Sequence, residues 1–146
     1  NMRTFYIFKV NKEYYKLTKN IPFNLYSAYL NIRMSTKDNI KYLYNEYFSF
    51  TESFNPKIIN YTLYNKMNKL DGYSIYNNIH QYTNYYTDEV SKLTIYNSYM
   101  VLKSNVNNSS FFKELINIPN LFIIDFDAED YFWLSSLKNL RVVNEC

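Results

Sequence analysis

The chain has 146 residues, 47% of them hydrophobic, which is enough for one domain with a sizeable core and too apolar for disorder. A net charge of +3, carried by scattered Lys and Arg with no basic block, falls short of a dedicated nucleic-acid footprint. The single Cys leaves no disulfide to form within the chain, no apolar run approaches the ~20 residues of a membrane helix and no signal peptide is visible, so a cytoplasmic setting is expected.

Aromatics make up 21% of the chain, with 18 Tyr and 11 Phe beside 1 Gly and 3 Pro. AT-rich coding gives this balance, so most Tyr need no special binding role. Asn1 precedes Met2 and is set aside as a cloning remnant, leaving one domain over 2–146.

Arg3 to Val10, β-branched and aromatic, predicts a first strand. Asn11 then caps a short helix over Lys12 to Lys19, with Tyr14 and Thr18 four apart on one face and Leu17 beside them. Pro22 opens a helix over Phe23 to Arg33 with an inward stripe of Leu25, Ala28, Tyr29 and Ile32.

Ser35 and Asp38 form a capping box for the clearest helix, in which Ile40, Leu43, Tyr44, Tyr47 and Phe48 recur as one apolar face. Tyr42 falls about 200° round from Ile40, on the outward side near Asn39 and Glu46. Asn55-Pro56 starts another helix, with Ile59, Leu63, Met67 and Leu70 inward as far as about Lys69, and Asp71-Gly72 ends it. The stretch from Tyr73 to Glu89 has Ile75, Ile79, Tyr82 and Tyr86 at helical spacing and is read as a partial helix in a long connection.

Leu93 to Tyr96 and Tyr99 to Leu102, flanking Asn97-Ser98, predict a hairpin. Phe111 to Ile118 predicts a short helix that Pro119 ends. Leu121-Phe122-Ile123-Ile124, bounded by Pro119-Asn120 and by Asp125, Asp127, Glu129 and Asp130, reads as a buried central strand. Tyr131 to Leu134 follows as a short strand. The fold class is α+β, a single domain with a small mixed or antiparallel sheet packed with several helices.

Little in the chain points to catalysis. One Gly excludes a P-loop or a dinucleotide fingerprint, and one His with one Cys cannot supply the usual zinc ligands. His80 has no nucleophile motif around it and reads as a surface or half-buried histidine. The cluster Asp125, Asp127, Glu129, Asp130 has the chemistry for Mg²⁺, but carboxylates there also terminate an apolar strand, and that structural reading is preferred. No enzyme, cofactor, metal or small-molecule substrate is expected. One alternative stays open: Tyr6, Phe8, Tyr96 and Tyr99 would stack single-stranded nucleic acid if they shared an open sheet face.

In order and spacing the chain resembles the SirA family, the sporulation inhibitors of replication. Phe5 to Val10 leading through Asn11-Lys12-Glu13 to Tyr14 is similar to the family's start, and Thr36 to Tyr42 to its middle helix. Phe111-Phe112-Lys113-Glu114-Leu115, Leu121 to Phe126, and Tyr131 with Trp133-Leu134 are similar to its FFxxL, apolar-strand-DF and YxWL pattern. The resemblance implies a non-enzymatic protein that binds the N-terminal domain of the replication initiator DnaA, with no direct nucleic-acid or membrane partner. The partner face it implies is Tyr14 and Thr18, with Asn39 and Tyr42; Thr18 departs from the pattern, where an aromatic is expected.

Overall fold

Strand β1 (Arg3–Val10) is the axis of the molecule. Its residues alternate strictly. Phe5 and Ile7 point into one core, and Tyr6, Phe8 and Val10 into another, so the strand feeds both sides of a sheet. The computed structural model describes residues 1–35 and 40–138. In chain order they form α1 (Lys12–Thr18), α2 (Pro22–Met34), α3 (Ile40–Phe50), β2 (Thr51–Glu52), α4 (Pro56–Met67), β3 (Tyr73–Tyr76), β4 (Ile79–Asn84), β5 (Glu89–Ile95), β6 (Met100–Ser104), α5 (Ser110–Leu115), β7 (Leu121–Asp125) and β8 (Asp130–Trp133). Asp38, the second half of the expected capping box, lies outside the described residues, as does Asn39.

The sheet has eight strands in the order β3-β4-β5-β6-β1-β7-β8, and β2 pairs with the end of β1. Every pairing is antiparallel, so the sheet is larger and more uniform than its sequence promises. Strand β7 is wholly buried between β1 and β8, as its apolar run predicts, although it stands one place from the sheet edge.

One face of the sheet carries α4 and α5. Leu63, Met67, Phe111, Phe112 and Leu115 close over Phe5, Ile7, Leu93, Leu102 and Ile123. Asn55 caps α4 by accepting from the Ile58 backbone N–H, and Ser109 caps α5 through the Phe111 N–H. The buried Glu89 accepts from the Ser91, Ser109 and Ser110 hydroxyls and from the Ser110 N–H, tying β5 to the start of α5.

The opposite face carries α1, α2 and α3, but only over β1, β7 and β8. Here the filling is aromatic. Phe8 stacks on Tyr29 at 3.9 Å between centroids, Tyr26 on Tyr131 at 4.7 Å, and Trp133 meets Tyr15 edge-on at 4.8 Å. Helix α2 buries Leu25 and Tyr29 as expected, and Tyr26 as well, while Ala28 and Ile32 are half-buried.

Two sequence readings need correction. Tyr73 to Glu89 is a β-hairpin running into β5, not a partial helix. Asn77 takes a left-handed φ of 54° between β3 and β4, and Asp88 one of 55° before β5, so each turn is made by a residue that tolerates it. The period-2 alternation of Tyr73 and Ile75, then of His80 and Tyr82, outweighs the helical spacing of Ile75, Ile79 and Tyr82.

The second correction is His80. It is 0% exposed, not at the surface. Its Nε2 donates to Asn60 Oδ1 at 2.7 Å and its Nδ1 accepts from the Tyr73 hydroxyl at 2.8 Å, a tautomer set by those partners. Burial lowers its pKa to about 4, so it is neutral and joins α4 to the hairpin. Gly72, at φ 86°, closes the same corner: a Cβ there would run into the Thr83 carbonyl oxygen, whose own N–H bonds Gly72 O at 3.1 Å.

Candidate functional site

Asn11 joins α1 to α3. Its side-chain oxygen accepts from the Tyr14 N–H at 2.8 Å, capping α1, and its amide donates to the Ser49 carbonyl at 2.9 Å. Its backbone N–H bonds Phe50 O at 2.9 Å, and Tyr14 stacks on Phe50 at 4.9 Å. The start of α1 and the end of α3 are therefore one surface.

Four residues were expected on that surface. Tyr14 is half-buried, with one side of its ring spent on Phe50. Thr18 is only 4% exposed and its hydroxyl donates to the Tyr14 carbonyl at 2.7 Å, so it offers a partner almost no area. Tyr42 is 66% exposed, on the outward side of α3 that the helical spacing predicts. Asn39 lies outside the described residues.

Sequence reading set Leu17 beside Tyr14 and Thr18 but left it out of the partner face; it is 70% exposed, on the outer side of α1. At 100° per residue, Leu17 and Glu13 fall within about 100° of Tyr14 on the side opposite Tyr15. Tyr15 points inward to Trp133, so Leu17 points away from the core. By the same arithmetic Tyr42 and Ser49 share a flank of α3, within about 20° of each other, and the Ser49 carbonyl is what Asn11 holds. Tyr42 itself lies two turns, about 10 Å, along α3 from that junction.

The other flank of α3 differs from expectation. Ile40 and Tyr44 are exposed, while Leu43, Tyr47 and Phe48 are half-buried; only Phe50, at the helix end, is in the core. The apolar face does not close on the sheet because Tyr29 and Tyr47, edge-on at 5.9 Å, stand between. The result is a cleft of about 420 Å³ lined by Phe8, Tyr29, Leu43, Tyr47 and Phe126, with Arg33 at its rim. The Arg33 guanidinium lies 4.7 Å from the Phe126 ring centre and 5.1 Å from that of Tyr6. Tyr47 crosses the cleft to donate its hydroxyl to the Ser98 carbonyl, and burial raises its pKa.

Two members of the acidic cluster are structural. Asp125 and Asp130 grip Arg3, Nε to Asp125 and one terminal nitrogen to Asp130, both at 2.9 Å, and Asp125 also accepts from the Ala128 N–H at 3.1 Å. Among the described residues no group of three or more His, Cys, Asp or Glu is placed to hold a metal ion, and no helix is long and apolar enough to cross a membrane.

Fold and surface together define a small α+β domain with apolar and aromatic patches left exposed. The family model described as sporulation inhibitor of replication protein SirA matches residues 3–138, so this chain belongs to the SirA family. The resemblance read from the sequence is thereby established for nearly the whole chain, and with it the general role of a sporulation-linked replication inhibitor. None of the curated proteins compared with the chain matches it.

Proposed function

We propose that this protein binds the N-terminal domain of DnaA through the joined surface of α1 and α3, and so represses initiation of replication. The observation that carries the proposal is that each of these two joined helices leaves a large apolar side chain outward, Leu17 on α1 next to the half-buried Tyr14, and Tyr42 on α3. A well-packed aromatic or aliphatic anchor is what a protein interface uses for most of its energy. The mechanism is steric: the bound domain loses the surface it uses to self-assemble or to recruit helpers, and neither catalysis nor a cofactor enters.

Burial changes the role of Thr18. Its hydroxyl on the Tyr14 carbonyl fixes the last turn of α1, so it positions Tyr14 and Leu17 and does not touch the partner itself. Asn39 stays in the proposed face on the family resemblance.

Calorimetric titration with the host's DnaA N-terminal domain tests the reading. Saturable one-to-one binding is expected, and Leu17→Glu and Tyr42→Glu each abolish it. Tyr14→Ala is a poorer probe, since it also removes the stack on Phe50. Undiminished affinity in both glutamate variants would place the interface elsewhere.

A further inference from the structure

Helices α1 to α3 cover only half of their side of the sheet. Among the described residues nothing covers the rest, on β3 to β6 and the start of β1. Its outward residues follow from the register: Gln81, Lys92, Lys103 and Thr4 form one row across four strands, and Ile79, Thr94, Val101 and Tyr6 the next. Tyr96 and Tyr99 stand at the hairpin end of the same face, 5.3 Å apart, and Tyr99 lies 5.8 Å from Tyr6. Thr4, Tyr6, Lys92, Thr94, Tyr96, Tyr99, Val101 and Lys103 together line a shallow groove of about 270 Å³.

Two features of this groove go beyond solubility. Lys92 and Lys103 are direct cross-strand partners, a placement in which like charges repel. Neither forms an ion pair among the described residues, and neither row across the strands holds a carboxylate. At the far rim Arg33 joins them, sharing a second shallow groove with Thr4, Lys103 and a single carboxylate, Asp127. The rings are also accessible: Tyr96 is exposed and Tyr99 half-buried, unlike Phe8, which lies under Tyr29.

We propose that this uncovered half of the sheet binds single-stranded nucleic acid, with Tyr96 and Tyr99 stacking bases and Lys92, Lys103 and Arg33 meeting phosphates. An anionic ligand relieves the repulsion between the paired lysines, and flat rings between cations suit a strand whose bases are unpaired. An acidic peptide would satisfy the lysines but leave the rings unused. The site is separate from Leu17 and Tyr42, so it stands or falls apart from the proposed DnaA interface.

The experiment is fluorescence-anisotropy titration of the full chain with a labelled oligothymidylate of ~12 nucleotides. Two or three phosphate contacts predict a roughly 7- to 20-fold loss of affinity between about 50 and about 200 mM salt. Lys92→Glu with Lys103→Glu removes binding; Lys103→Glu alone, at an exposed position, flattens the salt dependence and guards against a folding artefact. Tyr96→Ala weakens binding by about fivefold or more. All three variants keep their affinity for the DnaA domain. No binding at ~100 μM would overturn the proposal, as would a poly-glutamate peptide that displaces the oligonucleotide equally well, or an unchanged affinity in the Tyr96 variant.

Discussion

The two sides of the sheet are built by different means. The side under α4 and α5 is dominated by aliphatic residues and Phe, its buried side-chain polar groups are each paired among the described residues, and it keeps a cleft of about 430 Å³ between the two helices. The side under α1 to α3 is mostly Tyr, Phe and Trp, is covered for half its width, and keeps an open cleft beside α3. What differs is the lining: flat rings meeting edge-to-face wall the cleft beside α3, whereas mainly aliphatic chains and polar groups wall the one between α4 and α5. The aliphatic side holds most of the fully buried side chains, and the aromatic side covers only part of the sheet.

The contrast is sharpest in stability. Phe112 is fully buried, edge-on to Phe5 at 5.2 Å, and Phe112→Ala is expected to cost about 3–5 kcal/mol. Phe48, half-buried at the cleft, should cost about 1 kcal/mol or less on the same change. Urea unfolding measures both. Equal losses would mean that the aromatic side packs as tightly as the aliphatic one.

Acid should break the aliphatic side first. His80 has a folded pKa of about 4 against ~6.5 in the unfolded chain, so the unfolded state binds more protons between those values. Stability is therefore fully present above pH ~6.5 and falls as the pH drops toward 4, by up to ~3 kcal/mol from this group alone. Denaturation followed across that range gives the slope, and His80→Gln should flatten it. A wild-type slope that survives the substitution would assign the acid sensitivity to other groups.

A smaller effect tests the covered part of the aromatic side. The Tyr29 hydroxyl pairs with the Thr51 hydroxyl at 2.7 Å, both buried, and this bond joins α2 to β2. Tyr29→Phe leaves Thr51 without that partner and should cost about 1–2 kcal/mol. Thermal unfolding of this variant beside Tyr29→Phe/Thr51→Val, which should recover part of the loss, separates the missing bond from a change in packing.

Much of this fold was legible because its elements carry their own signals: Asn11 and Asn55 as caps, the apolar run of β7, and the alternation of β1. The hairpin β3–β4 was hidden because tyrosine suits a strand and tolerates a helix, and no Asn-Gly marks its turn; Asn77 supplies the left-handed residue there, as Asp88 does between β4 and β5. The buried Glu89 knot was invisible for a different reason. Its partners stand up to 21 positions away, and only the pairing of β5 with β6 brings them in. The candidate site was half legible. Periodicity turned Tyr42 outward correctly, but it cannot say that the face shared by Tyr14 and Thr18 is the one turned toward Phe50.

The smallest expected stability effect is the most informative for function. Leu17 and Tyr42 are each about two-thirds exposed, so replacing either by Glu should shift stability by only about 0.5 kcal/mol. A helix surface with no partner tolerates such a change, and so does a partner face in the isolated protein; the difference appears only on binding. If melting temperatures match the parent while the DnaA domain no longer binds, the two residues act at an interface and not in the fold. If either variant melts well below the parent, its side chain packs on something, and the outer flanks of α1 and α3 belong to the structural half of the molecule.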